Sequence, residues 1–229
     1  FVVGVASDSN GVFCGGTILS ENIILTAAHC LYDNKSSKLR SIQDMYIIAG
    51  RVNLELNDGQ TPSVQQIIIH PDFEFSIEKP STNDIALIVL NTRLQFNENV
   101  NKALIGFDSE LEHQTANWGL TNGLKPSKDL LYITVEIKPI KECSSNLSIE
   151  LKNSQMCIQS KTSQALCAGD SGASVFSANK IYGIISFGGK MCDENSSKRF
   201  TVLTSVKFYE NWIENQLKSF STNESNNGL

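Results

Sequence analysis

Two short motifs carry residue types that could perform acyl transfer. Ser171 lies in a Gly-Asp-Ser-Gly run at 169–172, and His29 follows two alanines in a Thr-Ala-Ala-His-Cys run at 26–30. A serine hydroxyl becomes a good nucleophile only when a base removes its proton, and imidazole suits that task near neutral pH. The chain has only three histidines. These motifs therefore predict a serine nucleophile and a histidine base.

A carboxylate that could orient the base is Asp84, at the start of an apolar run at 85–90. A carboxylate in this position should be largely buried, which is unfavourable unless it is paired or hydrogen-bonded. An imidazole N–H is a suitable partner. The glycines on both sides of the Asp170–Ser171 pair allow a tight bend and close approach of a substrate. Taken alone, the Gly-Asp-Ser-Gly run would also suit an ordinary turn.

The length, composition and charge of the chain limit the fold that can position these residues and the partners that the protein can bind. It has 229 residues, a net charge of -5 and 41% hydrophobic residues, which suits one large all-β domain or two small subdomains. Nucleic-acid binding needs a basic surface, so we expect no nucleic-acid partner. No apolar run approaches the roughly 18 residues of a membrane span, and from the start at Phe1 we expect no signal peptide within this sequence.

Cysteines and sequons favour an oxidising, secretory setting, and we predict a secreted extracellular glycoprotein. The even number of cysteines permits three disulfides, but spacing alone does not choose the pairing. No C-x-x-C pair is present, which disfavours a zinc ribbon. The cysteines are Cys14, Cys30, Cys143, Cys157, Cys167 and Cys192, and the N-x-S sequons begin at Asn34, Asn146, Asn195 and Asn223.

Short β-rich runs separated by turn residues predict an all-β barrel or sandwich. One helix is predicted at about 206–219, because apolar residues including Trp212 and Leu217 recur there at helical spacing. The Ser/Asn-rich segment 220–229 predicts a flexible tail. The β-rich runs lie at 23–25, 45–49, 66–69, 85–90, 132–137 and 181–185.

In these motifs the chain resembles the chymotrypsin-like (trypsin-fold) serine proteases. The resemblance covers nearly the whole chain, with His, Asp and Ser in the family's order. It implies one domain over 1–219, with two six-stranded antiparallel β-barrels (about 1–105 and 106–205), a C-terminal helix and a cleft between the barrels. A weaker similarity is to the modular proteases that start arthropod immune cascades. The motifs lie at 14–16, 26–30, 83–87, 167–172 and 183–188, with the Trp212 helix.

The resemblance implies a role for each motif residue in a secreted serine endopeptidase. Ser171 attacks the scissile carbonyl, His29 shuttles the proton, and Asp84 orients His29. The backbone N–H groups of Gly169 and Ser171 form the oxyanion hole. Ser186 supports Asp84 from behind, and the backbone from Ser186 through Phe187 to Gly188 holds substrate as an added strand. The implied disulfides are Cys14–Cys30, Cys143–Cys157 and Cys167–Cys192.

The chain departs from the family beside the nucleophile. In active members a freed amino terminus pairs with the Asp before the nucleophile, here Asp170, and this pair shapes the oxyanion hole. The segment 1–5 instead matches the first barrel strand, so we expect that the activating segment was cut away or never ordered, or that the protein does without it. Disorder of that segment would suit an enzyme in a zymogen or zymogen-like form. The alternative is a catalytically silent homologue with a binding or regulatory role, which Ala173 and Ser174, in place of the family's Gly and Pro, also suit.

The predicted specificity pocket carries no charge. Ala165 stands where trypsin-like members have an Asp, with Leu166 beside it, so a substrate Lys or Arg would be buried unpaired. Thr201 stands where many members have a wall glycine, and Gly188 keeps the opposite wall open. We therefore expect cleavage after Leu, Val, Met or Phe.

No metal or cofactor is expected. Calcium-binding members place a carboxylate where this chain has Arg51, and a fixed cation there would repel Ca²⁺. His29 beside Cys30 lacks a second cluster at zinc spacing. His70 is predicted to be structural and His113 to lie in a solvated loop. The expected partners are a protein or peptide substrate and an activating protease or inhibitor.

Overall fold

Two β-sheets dominate the structure. A computed structural model describes residues 1–76, 81–106, 112–121, 125–188 and 200–226, with side chains to residue 220. Apolar strand residues form one large core in the amino-terminal half, and two smaller cores in the carboxy-terminal half. The fold is thus mostly β, as the short apolar runs predict.

The amino-terminal sheet has six antiparallel strands in the order β4-β1-β2-β3-β6-β5. Its edge strand β4 continues the ring, because Tyr46 and Ala49 form bridges with Ser63 and Gln60, just before β5. The first residues of the chain form an inner strand of this sheet, between β2 and β4. The strands are β1 (Val2–Ser7), β2 (Gly11–Ile18), β3 (Ile23–Thr26), β4 (Met45–Ala49), β5 (Val64–Ile69) and β6 (Ala86–Leu90).

The carboxy-terminal sheet closes on itself. Its order is β13-β8-β11-β12-β15-β14, and a further pairing of β13 with β14 completes a six-stranded ring, with β7 added parallel to β14. The second barrel is therefore closed. Its strands are β7 (Leu104–Ile105), β8 (His113–Asn117), β11 (Leu131–Lys138), β12 (Gln155–Ser160), β13 (Ser174–Ser177), β14 (Lys180–Gly188) and β15 (Phe200–Ser205), with a hairpin of β9 (Leu120–Thr121) and β10 (Lys125–Pro126).

Two α-helices complete the fold. Helix α2 (Glu210–Asn226) begins later and ends later than the spacing predicts, so part of the predicted tail is helical. Leu217 and Phe220 explain the extension, because both pack against the first core. Helix α1 (Ile140–Leu147) has a narrow apolar face of Ile140, Cys143 and Leu147, and Cys143 and Leu147 belong to one of the two smaller cores. Its eight residues are too few for a clear helical period in the sequence. Within the described residues, neither helix has the length and apolar character needed to cross a bilayer.

Disulfides tie short segments to the barrels. Cys14–Cys30 joins β2 to the turn after β3, and Cys143–Cys157 joins α1 to β12, both as the resemblance implies. Cys167 is also disulfide-bonded, while Cys192 lies outside the described residues. Two six-stranded antiparallel barrels with a C-terminal helix are thus confirmed as the architecture.

Candidate active site

His29 is held in a short 3-10 turn (Ala28–Leu31) that directly follows β3. The neighbouring Cys30 is anchored to Cys14 on β2, which ties the turn to the barrel wall. The imidazole remains 23% exposed. The disulfide also excludes a metal at this place, because Cys14 and Cys30 offer no thiolate although their sulfur atoms lie near His29.

Asp84 binds His29 through both carboxylate oxygens. Its Oδ2 accepts a hydrogen bond from His29 Nδ1 at 2.7 Å, and its Oδ1 accepts from the His29 backbone N–H at 2.8 Å. Ser186 Oγ donates a third hydrogen bond to Oδ2 at 2.5 Å. These three bonds satisfy a carboxylate that is only 1% exposed. His29, Asp84 and Ser186 are far apart in sequence and lie together in the folded chain.

The backbone around Asp84 is fixed from several sides. Thr204 Oγ1 donates to the Asp84 carbonyl at 2.9 Å. The preceding residue, Asn83, has a positive φ of 53°, a conformation that Asn tolerates better than most residues. Its side chain donates to the Asp72 carbonyl at 2.9 Å and accepts from Tyr209 Oη at 2.6 Å. Thr204 and Tyr209 are supports that the sequence patterns did not reveal.

Electrostatics favours a charged Asp84 and a basic His29. Burial alone would raise the pKa of Asp84, but the charge and hydrogen bonds of His29 outweigh it and lower that pKa. Burial would also lower the pKa of His29, yet Asp84 raises it above its usual value. With Nδ1–H directed at Asp84, Nε2 is the nitrogen left to accept a proton. The pair is therefore suited to general-base work.

Ser171 lies on a tight turn that packs against the first barrel. Its carbonyl accepts a hydrogen bond from the Gly15 backbone N–H at 2.8 Å, next to Cys14. Gly172 has a φ of 80°, and a Cβ there would lie 2.4 Å from Thr26 Oγ1 and 2.5 Å from the Gly15 carbonyl oxygen. Only glycine fits, so the turn that presents Ser171 is pinned beside the His29 segment.

The side chains of the two predicted catalytic residues, Ser171 and His29, do not contact each other through a hydrogen bond. Among the described residues, no hydrogen bond joins Ser171 Oγ to His29 Nε2, and Nε2 lies 4.0 Å from Cys30 Sγ. Catalytic hydrogen bonds are often long before substrate binds, so this geometry does not disqualify the pair. The Gly169 carbonyl, next to the predicted oxyanion hole, accepts a hydrogen bond from Asn117 Nδ2 at 2.5 Å.

Asp170 is buried without a charged partner. Its Oδ2 accepts a hydrogen bond from the Cys167 backbone N–H at 2.7 Å, and the Gly119 backbone N–H also binds the carboxylate. A Cβ at Gly119 would lie 2.2 Å from Asp170 Oδ1, so only glycine allows this approach. Among the described residues no cationic group acts on Asp170, and burial raises its pKa to about 6. The carboxylate is turned neither to a histidine nor to solvent.

Asp170 lies at the wall of a cavity of about 1240 Å³ between β8, β11 and the segment before Ser171. Ala165 and Leu166, predicted to form the floor and wall of the specificity pocket, also line this cavity. On the neighbouring strands, Gly188 is the register partner of Thr201, with Phe187 opposite Val202. The pocket assignment therefore stays a prediction.

Three other residues singled out in the sequence, Arg51, His113 and His70, lie in well-defined contacts. Arg51 does span the loop after Gly50, donating from Nε and Nη2 to the Asp58 carbonyl at 2.8 and 2.6 Å. The prediction that His113 lies in a solvated loop is wrong, because it is in β8 with its ring 4.8 Å from that of Tyr182. His70 packs against Tyr209 and Trp212, which suits a structural role.

Comparisons with known proteins agree with this geometry. The trypsin family model matches residues 1–213. The chain is 29% identical over 224 residues to a chymotrypsin of Phaedon cochleariae, covering 93% of this chain and 75% of that protein. It is 31% identical over 216 residues to trypsin-1 of Astacus astacus, covering 88% and 86%.

The chain is also similar to a CLIP domain-containing protease and to one solved structure. The CLIP domain-containing serine protease B4 of Anopheles gambiae is 26% identical over 232 residues, and the chain covers 62% of its length. The solved structure of neuropsin, a serine protease of mouse brain, superposes with a TM-score of 0.80 at 22% identity, covering 94% of this chain and 93% of that one. The neuropsin match supports the fold alone.

Proposed function

This chain belongs to the trypsin family of serine endopeptidases, and we propose that it hydrolyses peptide bonds through Ser171, His29 and Asp84. The observation that carries the proposal is the doubly hydrogen-bonded pair of His29 and Asp84, with Ser186 as third partner of the carboxylate. This arrangement fixes the Nδ1 side of the imidazole on a buried carboxylate, and it leaves Nε2 to accept and donate a proton as a general base and acid.

In the proposed reaction His29 Nε2 removes the Ser171 hydroxyl proton as Oγ attacks the scissile carbonyl. The N–H groups of Gly169 and Ser171 stabilise the oxyanion that develops. The C–N bond then breaks as His29 gives the proton to the leaving amine, leaving an acyl group on Oγ. Water, deprotonated by His29, repeats the sequence and releases the carboxylate product. Throughout, Asp84 stabilises the imidazolium.

We propose a substrate with an apolar residue before the scissile bond. Ala165 and Leu166 provide no carboxylate for a basic side chain, which would be unfavourable to bury alone. Gly188 leaves one wall open, but Thr201 approaches it closely, since a Cβ on Gly188 would lie 3.0 Å from Thr201 Oγ1. The partners proposed are protein or peptide substrates, with an activating protease or an inhibitor, as the similarity to CLIP proteases suggests.

We propose that this form is zymogen-like and gains activity when an ammonium group pairs with Asp170. A buried carboxylate without a cation is unfavourable, so a cation that reaches it releases free energy that can order the adjacent turn. A secreted glycoprotein fits the two disulfides, and the sequon residues Asn34 and Asn146 are exposed.

A fluorophosphonate probe tests the proposed activity, both alone and with an apolar dipeptide that has a free amino group. The chain should be labelled at Ser171, faster with the dipeptide, and should cleave anilides of Leu or Phe in preference to those of Lys. Ser171→Ala should abolish labelling, while the matched control Ser145→Ala, exposed on α1, should be labelled like wild type. If none of these proteins is labelled under either condition, the chain is the silent homologue.

A further inference from the structure

The turn after the His29 segment carries a sequon whose asparagine side chain is available for modification. Asn34, Lys35 and Ser36 form an Asn-x-Ser triplet, and all three residues are exposed. No hydrogen bond within the described residues uses the side-chain amide of Asn34. A glycan attached to this amide would therefore displace no contact of the folded chain. Asn-x-Ser triplets accept N-linked glycans in proteins that pass through the secretory pathway.

The turn is ordered by its own polar groups, and Asn34 takes no part in them. Asp33 Oδ1 accepts hydrogen bonds from the Ser36 N–H and the Ser36 hydroxyl, both at 2.8 Å, and from the Lys35 N–H at 3.1 Å. The Ser37 N–H donates to the Asp33 carbonyl at 2.8 Å. Short polar side chains commonly close turns in this way. Asn34 is thus held at a defined place on the surface with its side chain uncommitted.

This turn is the tip of a short hairpin that is anchored beside His29. Tyr32 and Leu39 form an antiparallel bridge across the hairpin. At its base, Arg40 Nε donates to the Cys30 carbonyl at 3.0 Å, and the guanidinium carbon lies 4.3 Å from the centre of an aromatic ring on β2. Because Cys30 directly follows His29, the hairpin and the proposed base share one support.

Asn34 therefore lies close to the proposed cleft. It follows His29 by five positions, so the two Cα atoms are at most about 18 Å apart. The His29 side chain is 23% exposed and is reached from solvent. Asn146, the other sequon asparagine whose side chain the structure describes, lies on α1, which Cys143–Cys157 ties to the second barrel. The two sequons thus provide a test position and a matched control.

We propose that Asn34 carries an N-linked glycan that shields the His29 side of the cleft from large folded proteins and admits extended peptides and small molecules. This inference rests on the proposed function, since it assigns a substrate class to that same site. Its physical basis is steric, because a glycan is bulky and sweeps a volume around its attachment point. A large folded partner must enter more of that volume than an extended peptide does.

The first experiment measures occupancy on the 229-residue chain secreted from eukaryotic cells behind a cleavable leader. Peptide N-glycosidase in heavy-oxygen water converts a glycosylated asparagine into a heavy aspartate, which mass spectrometry locates. Asn34 should be converted in wild type and in Ser36→Thr, which keeps the sequon, but not in Ser36→Ala. An unmodified Asn34 in secreted wild-type protein overturns the inference, whether or not the protein is active.

The second experiment measures shielding with two fluorophosphonates, one free and one attached to a large dextran, in the presence of the dipeptide. Asn34→Gln removes the glycan, so the dextran probe should label Ser171 several-fold faster while the free probe labels at an unchanged rate. Asn146→Gln should change neither rate. Enzymatic removal of the glycan from folded wild type should reproduce Asn34→Gln, which guards against misfolding. Equal dextran-probe rates with and without the glycan overturn the inference.

A signal that needs no catalysis separates this inference from the proposed function. The chain has three histidines, so the NMR signal of the His29 ring can be assigned by its loss in His29→Gln. A gadolinium chelate attached to dextran should broaden this signal in Asn34→Gln and not in wild type, whereas the free chelate should broaden it in both. Equal broadening by the dextran chelate overturns the inference. A shielded His29 in a protein that no fluorophosphonate labels supports the glycan shield and overturns the proposed function instead.

Discussion

Asp84 and Asp170 are both buried carboxylates beside residues of the proposed triad, and they differ in partners rather than in depth. Asp84 is 1% exposed and Asp170 is 9% exposed. Asp84 binds an imidazole N–H, a backbone N–H and a hydroxyl, and its pKa is lowered. Asp170 binds two backbone N–H groups, and its pKa is raised to about 6. The charge of a buried acid is thus decided by the groups around it.

The two halves of the site also differ in whether their buried carboxylate has a charged partner. The half built on His29 and Asp84 is complete, with its hydrogen bonds formed across both barrels. The half built on Ser171 is held in place by Gly15, but its neighbour Asp170 has no counter-charge among the described residues. The two halves therefore differ in their buried carboxylate, which has a charged partner beside His29 and none among the described residues beside Ser171.

Replacing Asp84 by Asn should have the largest effect on catalysis. The amide removes the negative charge and turns an N–H toward His29, which favours the wrong imidazole tautomer. For a Ser-His-Asp triad this substitution is known to lower kcat by about 10⁴-fold. We expect a loss of that order in kcat, measured with an apolar anilide at saturating dipeptide, and little change in KM. A loss below about tenfold would mean that Asp84 does not act through His29.

Replacing Asp170 by Asn should change how the stability of the folded protein depends on pH. The rise of the pKa from 3.8 to about 6 corresponds to roughly 3 kcal/mol. Because the folded state binds this proton more tightly, the free energy of unfolding of wild type should fall as pH rises from about 4 to about 6. Asp170→Asn should lack this fall, as urea unfolding across that range would show.

The control for Asp170 is Asp129→Asn, at an exposed position. It should follow the wild-type dependence on pH, because it leaves Asp170 and the groups around it unchanged. Asp84 provides the contrast, since its lowered pKa contributes stability that is lost as pH falls through the folded-state pKa. If wild type and Asp170→Asn have parallel profiles, the comparison of the two carboxylates is wrong.

Replacing Ser186 by Ala should have the smallest effect, and it sharpens the account of Asp84. The substitution removes one of three hydrogen bonds to the carboxylate. Hydrogen bonds to charged groups contribute about 1.5–3 kcal/mol, so kcat should fall about 10- to 100-fold. Without the Ser186 O–H dipole the negative charge of Asp84 is less neutralised, so the pKa of His29 seen in the pH profile of kcat should rise slightly. Ser177→Ala, a buried serine at the other end of the second barrel, should leave that profile unchanged.

Much of the fold followed from local patterns. Alternating short apolar runs and turn residues predicted an all-β barrel or sandwich, and the resemblance to the trypsin-fold proteases implied the two barrels. Helix α1 and the extension of α2 were not predicted, since α1 has only eight residues and the extension of α2 depends on the packing of Phe220 against the first core. His113 was misplaced because a polar stretch can still form a strand when its neighbours supply the packing.

The sequence by itself determined which chemical groups this protein carries and the order in which they follow along the chain. These are a histidine after a strand, a carboxylate before a second strand, and a serine in a glycine-flanked turn. Those properties are local. Only the tertiary structure decided that Asp84 is charged and triply bonded, that Asp170 is buried unpaired, and that Asn117 donates to the Gly169 carbonyl. The pKa of a buried acid and the partners of a buried amide depend on groups brought together from distant parts of the chain.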